Sequence, residues 1–250
     1  MGKTDLHIHS GVGDGMDSIS DIFHHVEHHT DLDLIAITDH DSIEGAFQAR
    51  DLAARGSYRF EVIVGMEITT LEGHLLAYDL QEPIRMLLPL SKTIRLIHRQ
   101  GGFCIVPHPT SWLTRSIGRN GLRRIANNAE PEVAFDGIEV FNPSFAGKII
   151  YEKALAMNEQ WLHLPQCGGS DSHTKEYIGS AYTLFQGHTA DDFRRSLRKG
   201  TTRAGGTFWT FEDHRRLARI AVPQVFKSWV ILPTRHVRRT VDSLLGGSGR

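Results

Sequence analysis

Two cysteines in 250 residues, Cys104 and Cys167, are too few to staple a fold, and each lies inside a short apolar run. A disulfide framework is therefore not expected, and buried thiols in a reducing compartment are. Charge of one sign is also lacking. With 28 Lys and Arg against 29 Asp and Glu the net charge is -1, so nothing global draws the chain to nucleic acid or an anionic membrane. Any such attraction has to be local. Long hydrophobic runs are missing too: the stretches around Phe60–Ile68 and Val222–Pro233 are too short or too interrupted to span a bilayer. The N-terminus, MGKTDLHIHS, has no apolar signal core, and Leu6 stands where a myristoylation signal takes Ser or Thr. There is no GxSxG, and neither cysteine opens a helix, which leaves no activated side-chain nucleophile. A cytoplasmic enzyme is the expectation.

What the chain does have is histidine, fifteen of them, and their positions carry more than their number. Short β-rich runs at Thr4–His9, Leu32–Thr38, Phe60–Ile68, His74–Tyr78, Phe103–Pro107, Gly137–Phe141 and Ala181–Phe185 read as strands, with Leu164–Gly168 as a further candidate. Between them, Ile19–Thr30, Ile43–Arg55, Leu90–Gln100, Phe145–Asn158 and Ala190–Lys199 have helical periodicity, and Gly118–Asn128 reads as a surface helix. Apolar strands alternating with helices predict a parallel sheet, open or closed into a barrel.

The first strand ends in Asp5-Leu6-His7-Ile8-His9, and alternation puts His7 and His9 on one face. The second ends in Thr38-Asp39-His40-Asp41 and the third in Gly65-Met66-Glu67, while His74 opens the next run. Pro107-His108-Pro109 ends a fourth, and Gly169-Ser170-Asp171-Ser172-His173 supplies a second same-face pair. In a parallel barrel the carboxyl ends of successive strands converge on one rim whatever their separation in sequence. So many imidazoles and carboxylates at one rim would be repelling or unsatisfied without cations. Borderline imidazole with hard carboxylate suits Zn²⁺, Mn²⁺ or Fe²⁺ better than Ca²⁺.

The motifs DLHIHS, ITDHDSIEG, GMEI, GHLLAY, VPHP and GSDSH, in this order from Asp5 to His173, resemble the polymerase-and-histidinol-phosphatase (PHP) family of metal-dependent phosphoesterases. That resemblance implies a distorted (β/α)7 TIM-like barrel and up to three divalent ions. It would give one ion to His7, His9, Glu67 and Asp171, a second to Glu67, His74 and His108, and a third to Asp14, His40 and His173. Glu67, Asp171 and His173 would also be catalytic. Three such ions against three carboxylates leave a positive excess that favours a phosphate dianion, and a hydroxide bridging two metals would attack phosphorus in line.

Several other residues need a reading. Arg115 and Arg119 lie in the loop after the His108 strand and are candidates to grip phosphate, with Trp112 to stack on a base or to pack. Glu139, at the end of GIEVF, is a candidate for binding substrate or for closing a polar network, and Asn142 is placed similarly. Asp39 and Asp41 flank His40 and are candidates either to orient it or to cap the helix beginning near Ser42, with capping the favoured reading for Asp41. His24, His25, His28 and His29 form two i, i+4 pairs, a spacing that can bind Zn²⁺, but in this polar helix away from any strand end a solvated face is the better reading.

Residues 1–202 are expected to form the barrel and 203–250 a basic extension. The latter holds Arg203, Arg215, Arg216, Arg219, Lys227, Arg235, Arg238, Arg239 and Arg250 against Glu212, Asp213 and Asp242. A solvated basic face packed on the barrel is one reading. Contact with nucleic acid or an anionic surface, through the segment around Phe226 and Trp229, is the other. The function expected is hydrolysis of a phosphate monoester of a small metabolite, a nucleotide or sugar phosphate. The alternatives are a nuclease or phosphodiesterase on oligonucleotides and a non-enzymatic metal-bound accessory module.

Overall fold

The strands in this chain are short, the interior ones mostly apolar, and three of the helices between them are capped by side chains that the local sequence supplies. In the computed structural model, which describes residues 1–217, β2 (Leu34–Ile37) and β5 (Phe103–Val106) are buried at every position, as interior strands of a parallel sheet must be. Helix α1 (Ile19–His29) starts where the Ser18 hydroxyl accepts from the Asp21 N–H, and Ile19, Ile22, Phe23 and Val26 bury its inner stripe. Helix α2 covers Glu44–Arg55, α3 Leu90–Arg99, α4 Arg119–Ala126, α5 Phe145–Met157 and α6 Ala190–Arg198. Ser144 caps α5, and Thr189 with Asp192 forms a capping box on α6.

The remaining strands are β1 (Gly2–Ile8), β3 (Glu61–Thr69), β4 (His74–Tyr78), β6 (Gly137–Phe141), β7 (Gln166–Gly168), β8 (Ala181–Phe185) and β9 (Arg203–Gly206). They hydrogen-bond in the order β7-β6-β5-β4-β3-β2-β1-β8-β9. Beyond β7 the chain reaches β1 again, where the His9 N–H donates to the Ser172 carbonyl at 2.8 Å, and the sheet is thereby nearly closed. The result is the TIM-like barrel expected from the motifs. A strictly parallel sheet it is not. β4 is antiparallel to both β3 and β5, and β8 and β9 form an antiparallel pair on β1. The reversal of β4 has a consequence for function: its first residue, His74, lies at the same end as the last residues of β1, β2, β3, β5 and β6.

Two apolar clusters hold the barrel. One joins Ile22, Phe23 and Val26 of α1, Ala46 and Ala49 of α2, and Ile94 and Ile97 of α3 to Ile35, Ile37, Met66 and Ile68. The other gathers Leu6, Leu34, Ala36, Ile63, Leu76, Tyr78, Phe103 and Ile105 with Phe185, Phe193 and Leu197. Phe23 is 1% exposed, so truncating it to Ala would cost about 3–5 kcal/mol. Among the described residues no helix is long and apolar enough to cross a membrane.

The chain divides into two compact units, Met1–Phe208 and Trp209–Arg250. Strand β9, in a stretch the sequence pattern does not mark as a strand, belongs to the first. In the second, Thr210 accepts from the Asp213 N–H ahead of helical backbone over 211–217. Arg219, Lys227, Arg235, Arg238, Arg239, Asp242, Arg250, Phe226 and Trp229 lie outside the described residues.

Candidate metal centre

Glu67 lies near the end of β3, fully buried, and five imidazoles point at its carboxylate. His7 Nε2 is 3.2 Å, His9 Nε2 3.3 Å and His40 Nδ1 3.3 Å from Oε2, while His74 Nδ1 is 2.9 Å and His108 Nε2 3.3 Å from Oε1. Asp171 Oδ1 is 3.4 Å from His7 Nε2 and 3.3 Å from His9 Nε2. Asp14 completes the group, 3.4 Å from His9 Nδ1, 3.3 Å from His173 Nε2 and 3.9 Å from His40 Nε2. All nine residues nominated as metal ligands from sequence thus meet at one mouth, although they span positions 7 to 173.

The donor set can be tested for its fit to cations. A carboxylate offers about four lone-pair sites, too few for five convergent rings. Both nitrogens of His9, Nδ1 of His74 and Oδ1 of Asp14 are buried with no hydrogen-bond partner. Orphaned polar atoms of this kind are costly unless something else satisfies them. Two ligand atoms each about 2.1 Å from one metal stand roughly 3.0–3.4 Å apart, which is the spacing these pairs show. Three subsets also bring one ligand atom per residue within 4.8 Å of each other: His7, His9, Glu67 and Asp171; His9, Asp14, His40 and His173; and His40, Glu67 and His74. The residues fit divalent ions.

The electrostatics agree. Burial works against charge on His7 and His9, yet the facing carboxylates of Asp171, Glu139, Glu67 and Asp14 hold both imidazoles well above the ordinary histidine range. Burial opposes ionisation of Glu67, Asp171 and Asp14 as well, but the surrounding imidazoles keep all three ionised far below the usual carboxylate range. His40, desolvated with little compensation, is pushed down to about 4 and stays a neutral donor. The ionised carboxylates thus make the mouth a place that favours positive charge.

A second tier of side chains fixes the first. Glu139, 2% exposed, sits behind the mouth rather than at its opening; Oε1 is 3.0 Å from His7 Nδ1, and Oε2 accepts the His108 N–H at 2.9 Å. That geometry makes it a positioning group for two histidines. Asn142 joins the same network, its Oδ1 accepting from the Ser144 N–H and hydroxyl. Asp39 does not turn to His40: its carboxylate accepts from the Ser10 N–H at 2.6 Å and the Ser10 hydroxyl at 2.7 Å, bracing the loop that carries Asp14. Nor does Asp41 cap α2, because that helix starts at Glu44 without a side-chain cap and the Asp41 carboxylate accepts the Thr69 N–H at 2.7 Å. Buried Asp5, raised to about 6 by desolvation, accepts backbone N–H groups of His7, Ser170 and Gly179 and so ties β1 to the Asp171 segment. The Ser116 hydroxyl, 2.8 Å from Nδ1, orients His108.

Sequence reasoning names Glu139, Asn142, Asp39 and Asp41 but misses Asp5, Ser10 and Ser116 as supports, and a further signal is present in the motif glycines. A Cβ on Gly169 would collide with Glu139 Oε1 and His7 Cβ, and one on Gly45 with the Asp39 carboxylate. Asp41, His108, Thr110 and Asp171 all have positive φ, a conformation costing about 1–3 kcal/mol that persists where the surroundings over-determine it.

Arg115 and Arg119 are both exposed, in the loop after β5 and at the start of α4. The His74 N–H donates to the Arg115 carbonyl at 2.7 Å, so Arg115 is anchored beside the mouth. Trp112, 68% exposed, shares its loop. Arg124 pairs with Glu72 and Arg123 lies over the Trp161 ring, 5.6 Å from its centroid, as side chains of a helix surface. Cys104 and Cys167 are free and buried, and burial pushes the Cys167 thiol up to about 12. The structure therefore holds no thiolate nucleophile among the described residues.

A nearly closed α/β barrel with a histidine–carboxylate mouth defines a class, the TIM-like barrels that do their chemistry at the strand ends. Within that class the chain belongs to the PHP family. The PHP-associated family model matches residues 159–202. An uncharacterized protein of Methanocaldococcus jannaschii is 33% identical over 175 residues, 66% of this chain and 94% of that one. The fold is shared with a two-domain protein from Bacteroides vulgatus containing a predicted PHP-like metal-dependent phosphoesterase (TM-score 0.64, 20% identity, 82% of this chain and 64% of that chain). It is shared also with a lesion-specific endonuclease from Pyrococcus furiosus (TM-score 0.54, 13% identity, 86% of this chain and 66% of that chain).

Proposed function

We propose that this protein hydrolyses phosphate esters at divalent ions held by His7, His9, Asp14, His40, Glu67, His74, His108, Asp171 and His173, and that its substrate is a monoester of a small metabolite, a nucleotide or sugar phosphate. The observation that carries this reading is the convergence of five imidazoles on the one Glu67 carboxylate. Up to three ions, of Mn²⁺, Zn²⁺ or Fe²⁺, would supply Lewis acidity toward the phosphoryl oxygens and a more acidic water as nucleophile. The chain's own residues do the rest. Glu67 would be among the residues that hold the ions, while Glu139 and Ser116 keep His7 and His108 in one orientation. Asp171, His40 and His173, with side chains 18%, 30% and 36% exposed, form the open side where a phosphate enters. Arg115, whose carbonyl accepts the His74 N–H, would pair with its outer oxygens, and Arg119 would flank the same approach.

A second reading, an oligonucleotide phosphodiesterase, is favoured by one observation: Trp112 and Arg115 are exposed together in one loop at the mouth, as base stacking and backbone contact require. Release of inorganic phosphate from mononucleotides or sugar phosphates, screened with Mn²⁺, Zn²⁺ and Fe²⁺, supports the first reading. Shortening of labelled oligonucleotides without such release supports the second. No turnover of any ester with metal present would leave an accessory module. His9→Ala and Asp171→Ala should abolish turnover while the barrel stays folded, and equal activity in either variant would contradict the ligand assignment.

A further inference from the structure

Histidine is also concentrated away from the mouth, at positions 24, 25, 28 and 29 of α1. This helix leaves the mouth end of β1 and runs back along the barrel, so these residues lie in its later turns, away from Asp14. His24, His28 and His29 are exposed and His25 is half-buried, while the helix packs through Ile19, Ile22, Phe23 and Val26. Side chains four apart stand one above the other on a helix. The His24 and His28 ring centroids are 4.6 Å apart, those of His25 and His29 5.2 Å, and those of His24 and His29 6.1 Å.

No structural duty accounts for the rings. The carbonyls at the end of α1 are already met by Arg59, whose guanidinium donates to the carbonyls of Val26, Thr30 and Leu32. Glu27, the acid between the pairs, is engaged elsewhere, accepting the Arg59 backbone N–H at 3.1 Å. Histidine is a middling helix former, so four in eleven positions do not serve helix stability. Two imidazoles one turn apart offer their lone pairs to a single cation, the relation that helical zinc sites use. Positive charge near the end of a helix is favoured by its dipole. Asp21 lies near His24, and Asp17 and Glu176 near His25, against Lys175 as the neighbouring positive charge.

We propose that α1 carries two-histidine surface clamps for a borderline divalent cation, Zn²⁺, Ni²⁺ or Cu²⁺, one formed by His24 and His28 and the other by His25 and His29, separate from the centre around Glu67. The exposure expected of a solvated face remains; the ring pairing adds chelation.

The test uses the full chain with the Glu67 centre saturated with Mn²⁺. Equilibrium dialysis against Zn²⁺ should find at least one further ion in the wild type that the His24→Gln/His28→Gln/His25→Gln/His29→Gln variant lacks. Removing only the first clamp should weaken that binding about tenfold or more, as one ligand bond is worth at least ~1.4 kcal/mol. Cu²⁺ should bind more tightly than Zn²⁺, and Mg²⁺ should not compete. Ester turnover and the thermal midpoint without Zn²⁺ should match the wild type, which shows that the variant folds. Equal Zn²⁺ stoichiometry and affinity in the wild type and the fourfold variant would overturn the proposal.

Discussion

Two clusters of similar residues sit at opposite ends of this barrel. At the mouth, imidazoles and carboxylates crowd around Glu67. At the base, His98 of α3, Cys104 of β5 and Asp136 ahead of β6 also bring ligand atoms within 4.8 Å of each other. The difference lies in what each polar atom already has. His98 Nδ1 is 3.0 Å from the Glu132 carbonyl and Nε2 is 2.9 Å from Asp136 Oδ2. That same oxygen accepts the Cys104 N–H at 2.8 Å, and burial keeps the Cys104 thiol protonated. Every group there has a partner in the protein. At the mouth both His9 nitrogens have none. Proximity of ligating residues is common to both ends, and only unsatisfied lone pairs mark a place for a cation.

The comparison breaks most directly at its centre. Glu67→Gln removes the charge that five imidazoles share, and should lower kcat by more than about 10³-fold, beyond the 10–100-fold typical of supporting partners. Bound metal, measured on the purified variant, should fall with it. Asp136→Asn, at the base, should leave both unchanged. A base variant that lost metal would put the two clusters on one footing.

Next in size is the tier behind the ligands. Glu139→Gln should weaken metal affinity by about 10–100-fold, because His7 Nδ1 loses its charged partner. Gly169→Ala should do at least as much, since its methyl group enters the space of Glu139 Oε1. Metal titrations of both variants check this. Wild-type affinity in Gly169→Ala would show that the carboxylate can move without consequence.

The ligands and their supports differ in how legible they are in the sequence. The positions at the mouth can be read because alternation on a strand puts His7 with His9, and because barrel strands bring their ends together. The supports can be nominated by position, as Glu139 is at its strand end, but not assigned, because the duty of a buried carboxylate such as Glu139 or Asp39 is set by a neighbour more than twenty residues away. Strand direction is equally hidden. The run HLLAY is the same hydrophobic signal whichever way β4 points, and only its pairing with β3 and β5 shows it reversed. Strand β9, Arg-Ala-Gly-Gly, has no apolar run to announce it. Asp41 reads as a helix cap because Asp before a helix usually is one, but the pull of the Thr69 N–H prevails.

Removing metal sharpens the contrast between the ends. Ions bound only by the folded mouth stabilise it by RT ln(1 + [L]/Kd), about 2.7 kcal/mol at a hundredfold excess over Kd. Chelation should therefore lower the melting temperature of the wild type and of Asp136→Asn alike, and leave that of Glu67→Gln almost where it was. A chelator effect that persisted undiminished in Glu67→Gln would place the stabilising ion elsewhere.

The smallest effect belongs to the base. The hydrogen bond to Asp136 raises the His98 imidazole above its ordinary value. Since the folded state binds this proton more tightly than the unfolded chain, the stabilisation is fully present below about pH 6.5 and is lost as pH rises through the elevated folded value. The pair is partly exposed, so its worth is about 1 kcal/mol or less. Denaturant unfolding of the metal-free wild type and His98→Gln at a series of pH values should show a gap between them that narrows with rising pH. A gap that widened instead would mean that His98 is held neutral, and that the base end had been left with an unsatisfied carboxylate after all.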